Sequence, residues 1–307
     1  MAKEIPELAS CVDETRVENP EYERLLRLGR QTDFSAERRG NSYRRAQADP
    51  MVRATGIRQL LMLLAPQETG KFAPDHKILD VLGGDGVVTR ALPKIFPQDE
   101  IPFVVTSDLD HDMVEAARAY GLPVLWQPAE YLILKGESMD GVLMAYGSHH
   151  IDSVNRPRVV AEAFRVLKSG GRFVLHDFEE GSINADWFKN VVDKYSATGH
   201  NCRHFTTGEM TELLSDAGFT SVRIRHILDP LTMMGESDDV LSAKLAEYIL
   251  DMYGLTKLRE EHGEILARKK ILEISPVYVG ESIENKVGLP RKAEMFRLAL
   301  VASGTKR

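Results

Sequence analysis

The residues of this chain that could do chemistry fall at the ends of short apolar runs. Gly83-Gly84-Asp85-Gly86 follows Ile78-Leu79-Asp80-Val81-Leu82, and Asp108 follows Val104-Val105-Thr106-Ser107. His149 and His150 come just after Val142-Leu143-Met144-Ala145, and His176-Asp177 just after Phe173-Val174-Leu175. His200 and His204, with Tyr195 and Arg203, lie in the stretch beyond. Glycine lets a backbone approach a ligand closely and take positive φ, and the carboxyl ends of parallel strands are where open α/β sheets bind ligands. An acid one βαβ step after such a turn can take both hydroxyls of a ribose, so Asp80, Gly83, Gly84, Asp85, Gly86 and Asp108 together suggest a nucleoside. By itself the glycine turn would be equally compatible with an ordinary tight turn.

The choice of nucleoside rests on spacing and charge. Gly83-Gly84-Asp85-Gly86 is not the G-x-G-x-x-G pattern that sets a pyrophosphate on a helix N-terminus, and an acid inside the turn repels a diphosphate. S-adenosylmethionine has no phosphate and carries a cationic sulfur, which an acidic turn suits. Imidazole is suited to proton abstraction near neutral pH, making His149, His150, His176 and Asp177 the candidates for acid–base work or for orienting an acceptor. A hydrogen-bonded turn is the competing role for the His pair, and loop anchoring for His176 and Asp177. A metal site is a rival use of His149, His150, His176, Asp177, His200 and His204, although no pair shows a diagnostic helical ligand spacing; the reading adopted has no metal.

These residues need strands and helices to position them. From Lys77 onward the sequence alternates β-rich runs with helical patterns, the signature of βαβ units and a parallel sheet. Strands are expected at Lys77–Leu82, Phe103–Ser107, Val124–Gln127, Gly141–Ala145, Arg172–His176, Ser221–Leu228 and Glu294–Ala302. Helices are expected at Val87–Ile95, Asp112–Tyr120, Arg158–Leu167 and His204–Ala217. The expected fold is α/β, a doubly wound, mostly parallel sheet. Residues 1–70 read as a helical region covering the site, 71–228 as the core, 229–291 as a helical insertion and 292–307 as the final core strand. Within the insertion, Asp238–Leu272 reads as amphipathic helix broken near Gly254 and Gly263, and Met233, Met234, Tyr248, Met252 and Tyr253 form either an apolar pocket wall or a core stripe.

Composition narrows the classes. The chain has 307 residues, 43% hydrophobic and 28% charged, in the range of globular proteins. A formal net charge of -7 argues against a nucleic-acid groove. Arg38, Arg39, Arg44, Arg45, Arg53 and Arg58 read as a solvated helical face. Two cysteines, Cys11 and Cys202, cannot build a disulfide framework and fit a reducing compartment. Met1–Asp13 lacks the apolar core of a signal peptide, and no apolar run spans a bilayer, so a cytoplasmic protein with no membrane partner is expected.

In four stations from Lys77 to Leu228 the chain resembles the class I S-adenosylmethionine-dependent methyltransferases, particularly the ubiquinone/menaquinone-type small-molecule branch. Asp80 to Gly86 resembles the first, cofactor-binding motif, and Asp108 the ribose-binding acid. Asp140-Gly141-Val142-Leu143-Met144-Ala145-Tyr146-Gly147-Ser148-His149-His150 resembles the fourth motif, and Arg165-Val166-Leu167-Lys168-Ser169-Gly170-Gly171-Arg172-Phe173 the helix, Gly-Gly turn and strand that follow it. The resemblance implies a cofactor set that adds Leu109, Gln127, Ala129, Glu130 and Ala145, with Tyr43 reaching in from the N-terminal helices. The departures are Leu82, where the first motif usually has its first glycine, and Gln127-Pro128-Ala129-Glu130, where an acid usually stands near the adenine. The implied activity is methyl transfer to a small, aromatic or natural-product-type acceptor, in a protein that could form a homodimer. A non-catalytic nucleoside-binding regulator and an NAD-dependent oxidoreductase are the alternatives.

Overall fold

The computed structural model describes residues 5–28, 41–281 and 291–307. Arg38 and Arg39 lie outside them. The helices are α1 (Pro6–Cys11), α2 (Glu14–Val17), α3 (Pro20–Leu28), α4 (Ser42–Ala46), α5 (Ala54–Leu64), α6 (Val87–Ile95), α7 (His111–Ala119), α8 (Arg156–Val166), α9 (Ile183–Trp187), α10 (Asp193–Tyr195), α11 (Thr207–Asp216), α12 (Asp238–Met252) and α13 (Thr256–Glu273). The strands are β1 (Lys77–Val81), β2 (Phe103–Asp108), β3 (Val124–Trp126), β4 (Met139–Met144), β5 (Leu167–Asp177), β6 (Thr220–Leu228), β7 (Leu231–Gly235), β8 (Val277–Glu281), β9 (Arg291–Met295) and β10 (Leu298–Thr305).

The main sheet has seven strands in the order β3-β2-β1-β4-β5-β10-β6. β10 runs antiparallel to both β5 and β6, and the other ladders are parallel. Side chains alternate across it with the period of two that a pleated strand imposes. Ile78, Val104, Leu143, Val174 and Val301 enter one apolar cluster, which buried residues of α5, α6 and α12 also join. Leu79, Val105, Val142, Phe173 and Ala302 enter the opposite one, under α8 and α11. Burial on both faces explains why these strands read as continuous apolar runs.

The doubly wound α/β expectation holds. The chain reversal between β1 and β4, which lie side by side while their crossovers leave in opposite directions, opens the crevice where such sheets bind ligands.

Several details differ from the sequence reading. The expected single strand Glu294–Ala302 is two, β9 and β10, interrupted at Phe296 and Arg297. β9 pairs antiparallel with β7 and β8 in a separate three-stranded sheet, so the expected helical insertion is helices on a small sheet. Alternation alone could not separate two short strands that share one run. The helical break near Gly263 is present as a kink with φ 72° and ψ 163°. Arg53 is not on a solvated face: it is 4% exposed, its Nε donates to the Tyr248 hydroxyl at 3.3 Å and its guanidinium stacks over the Tyr146 ring. No helix among the described residues is long and apolar enough to cross a membrane.

Candidate active site

The turn after β1 is shaped by two glycines. Gly86 has φ 81° and begins α6, a conformation that costs L-residues strain. A Cβ on Gly83 would sit 2.7 Å from Asp80 Oδ2, so the buried Asp80 carboxylate lies directly beneath the turn. Leu82 takes φ 62°, a left-handed conformation at the position where the resembled motif has glycine. The turn is tied to β2: Gly83 N–H donates to the Ser107 carbonyl at 2.9 Å, and Gly84 N–H to Asp108 Oδ2 at 2.9 Å. The loop leaving the first strand and the carboxylate closing the second are thus adjoining.

A cavity of about 340 Å³ opens at this junction, within the size range of small-ligand pockets. Of the residues that the sequence reading assigned to a cofactor, Tyr43, Gly84, Asp108, Leu109, Ala129 and Glu130 line it. Asp80, Gly83, Asp85, Gly86, Gln127 and Ala145 do not line it. Asp80 is below the turn. Asp85 is 2% exposed and is held by Arg90 Nη2 at 2.9 Å from both its oxygens. Gln127 Oε1 accepts the Ile133 N–H at 2.8 Å, which shapes the 128–133 loop. Asp110 and Asp152 join Asp108 and Glu130 around the cavity, and none of its lining residues is Lys or Arg. A cavity rimmed by carboxylates suits a cationic ligand and opposes a phosphate, and the acids that rim it are Asp108, Asp110, Glu130 and Asp152 rather than Asp85.

Burial pushes the Asp108 carboxyl up to about 6, against the lowering effect of the Asp110 and Gly84 N–H donors. Burial, followed by repulsion from Asp108, raises Asp80 to about 8.

A second, smaller cavity of about 50 Å³ adjoins the first, and Tyr43, Tyr146 and His150 line both. All the expected catalytic residues, His149, His150, His176 and Asp177, line this smaller space. Phe178, Phe188 and Tyr253 supply aromatic walls, and Arg53 and Arg297 buried positive charge. Behind it, Asp177 faces His149 Nδ1 at 3.0 and 3.1 Å and His204 Nδ1 at 2.9 Å. Burial opposes ionisation of Asp177, but His149 and His204 hold its carboxyl well below the usual range. His200 also lines the smaller cavity; Arg203 does not, and Tyr195 ends α10 away from it. Met252 and Tyr253 form part of the wall, whereas Met234 is exposed.

A buried network closes the other side. Tyr146, at φ 64°, donates its hydroxyl to Asp229 Oδ1 at 3.2 Å, and Arg297 Nη2 donates to Asp229 Oδ2 at 2.6 Å. His176 Nε2 lies 3.5 Å from Asp229 Oδ2. Burial and then the Asp229 charge raise Tyr146 well above its ordinary value.

Residues 79–175, from β1 to the end of the β5 apolar run, match the methyltransferase domain family. Over that segment the chain resembles the class I S-adenosylmethionine-dependent methyltransferases. The chain is 26% identical over 131 residues to a ubiquinone/menaquinone biosynthesis C-methyltransferase of Wigglesworthia glossinidia brevipalpis, covering 40% of this chain and 50% of the relative. It is 32% identical over 152 residues to a mitochondrial 2-methoxy-6-polyprenyl-1,4-benzoquinol methylase of Arabidopsis thaliana, covering 41% of this chain and 51% of the relative. The chain therefore spans about half the length of these curated relatives. A S-adenosylmethionine-dependent methyltransferase structure from Thermotoga maritima shares the fold at TM-score 0.51 and 21% identity, over 89% of this chain and 98% of that one.

Sequence reasoning missed Asp110, Met113, Gly147, Ile151, Asp152 and Asn155 in the larger cavity, and Arg53, Phe188 and Arg297 in the smaller one. For Asp110 the signal was present: it follows β2 and caps α7, accepting the Met113 N–H at 3.1 Å. For Arg297, 68 residues from Asp229 in sequence, local pattern held none.

Proposed function

We propose that this protein moves the methyl group of S-adenosylmethionine to a small acceptor held in the histidine-lined cavity. The observation that carries the reading is the pair of adjoining cavities, one rimmed by carboxylates and one by imidazoles and aromatic rings, with Tyr43, Tyr146 and His150 at their junction. The residues present fit the cofactor: Asp108 offers a carboxylate where a ribose would lie, Gly84 exposes backbone, and Asp110, Glu130 and Asp152 complement positive charge. Bound S-adenosylmethionine supplies a methyl on a positively charged sulfur.

Methyl displacement needs the acceptor atom in line with that bond, so positioning supplies most of the rate. Tyr43, Tyr146 and His150 form the partition through which the two ligands meet. Where the acceptor carries a proton and no metal ion is bound, His150 is the base, because it alone among the histidines borders both cavities. Phe178, Phe188 and Tyr253 favour an aromatic or otherwise apolar acceptor. About 50 Å³ admits the reacting end of such a molecule, and Tyr43 of α4 and Met252 of α12, helices tied by the Arg45–Asp251 pair at 2.8 Å, form part of its wall. A cytoplasmic homodimer acting on a soluble metabolite completes the proposal.

Mass spectrometry of an acceptor library incubated with methyl-labelled S-adenosylmethionine tests this. Label transfer to a small molecule supports it. Cofactor binding by calorimetry without transfer to any acceptor favours a nucleoside-binding regulator, and preferential binding of NAD favours an oxidoreductase.

A further inference from the structure

Asp177 is a fully buried carboxylate whose ion-pair partners among the described residues are two imidazoles, with no Lys or Arg. Such a group needs positive charge close by, from an imidazolium or from a bound cation. Nitrogens of His149, His150 and His200 lie within 4.8 Å of one another, as do ligand atoms of His149, Asp177 and His204. His149 belongs to both groups.

The contacts of Asp177 decide between them. Its Oδ1 accepts the Phe178 N–H at 2.7 Å and faces His204 at 2.9 Å and His149 at 3.1 Å, and its Oδ2 accepts the Ser148 hydroxyl at 3.0 Å and faces His149 at 3.0 Å. These contacts use the roughly four lone-pair positions of a carboxylate. Asp177 is therefore the support behind a ligand, the arrangement in which a carboxylate fixes the tautomer of a metal-binding histidine. With its Nδ1 toward Asp177, His149 presents Nε2 as its ligand atom. His149, His150 and His200 line the smaller cavity, whereas His204 does not.

We propose that His149, His150 and His200 bind one divalent transition-metal ion, with Asp177 orienting His149 and a coordination position open to the smaller cavity. Three imidazoles select an ion of the zinc, cobalt or ferrous kind over magnesium or calcium, which prefer oxygen. Nitrogens about 2.05 Å from a tetrahedral ion are about 3.4 Å apart, so the cluster contracts modestly on binding. The open position faces the space assigned above to the acceptor and suits an acceptor oxygen or sulfur, whose proton the bound ion makes more acidic in place of the base role that His150 has without metal. That role rests on the methyl-transfer reading, whereas the metal site itself does not.

The test is made on chelator-treated full-length protein without cofactor or acceptor. Calorimetric titration with zinc chloride, and cobalt chloride titration followed by visible absorption, are expected to show one tight site per chain and d–d bands of a low-coordinate imidazole complex. His200→Ala and His149→Ala are expected to weaken it about 100-fold or more, and His262→Ala on α13 to leave it unchanged. His200→Asn, closer in shape, guards against a folding defect, and the wild-type melting temperature should rise with zinc and fall back with chelator. Wild-type affinity no better than that of His200→Ala, or no zinc-dependent shift in melting temperature, overturns the proposal. Metal binding without methyl transfer would sink the function proposed above and leave this site standing.

Discussion

Asp108 Oδ2 accepts the Gly84 N–H at 2.9 Å, which locks the glycine turn of one strand to the acid that ends the next. Asp108→Ala removes both this tie and the acceptor for ribose hydroxyls. Cofactor affinity should fall by about 1.5–3 kcal/mol, the range for hydrogen bonds to a charged group. Calorimetry with S-adenosylmethionine measures it, and an unchanged dissociation constant would remove Asp108 from the ribose role.

The same carboxyl gives cofactor binding a pH dependence. With Asp108 raised to about 6 by burial, protonation removes acceptor capacity on the acid side. Affinity should be flat above pH 7 and decline as pH falls through about 6. A profile with no inflection there would show that the ligand does not use this group.

Asp80 makes the complementary prediction for stability. Its carboxyl is raised from 3.8 to about 8, so the folded chain holds a proton that the unfolded chain releases. The resulting penalty on folding is absent below about pH 4, grows as pH rises, and is complete above about pH 8. Asp80→Asn should stabilise the cofactor-free protein little at pH 4.5 and by up to about 5 kcal/mol at pH 8.5. Urea unfolding at the two pH values checks this, and an equal gain at both would refute it.

Arg297 and Asp229 form a buried pair at 2.6 Å, with Tyr146 donating to the same carboxylate. Asp229→Ala leaves the Arg297 charge uncompensated and should cost about 3–5 kcal/mol. Tyr146→Phe removes one hydrogen bond and should cost about 1 kcal/mol. Thermal unfolding should rank the two in that order.

Leu82 holds φ 62° at the edge of the larger cavity, where a side chain is strained. Leu82→Gly relieves about 1 kcal/mol of strain while losing apolar contact. Leu82→Ala loses the contact and keeps the strain. The glycine variant should therefore be the more stable of the two, the reverse of the usual order, and denaturant midpoints decide it.

His150→Ala should lower turnover much more than cofactor affinity if the imidazole meets the acceptor. Wild-type turnover with every acceptor methylated by the parent would return His150 to a purely structural role.

The local chemistry of β1, its turn, β2 and the strand ends carrying the histidines was legible in the sequence by itself. Burial on both faces of a parallel sheet writes continuous apolar runs, and the turns between them need glycine and polar residues at fixed offsets. The bounds of α6 came out as expected for this reason. Tertiary structure alone decided which side chains face which cavity. It turned Asp85 toward Arg90, placed Asp110, Glu130 and Asp152 around the larger cavity, and buried Arg53 against Tyr248. It also brought His200 and His204 to Asp177 and His149, and Arg297 to Asp229. Those pairings join segments distant in the chain, and short-range periodicity carries no record of which distant partner satisfies a buried charge.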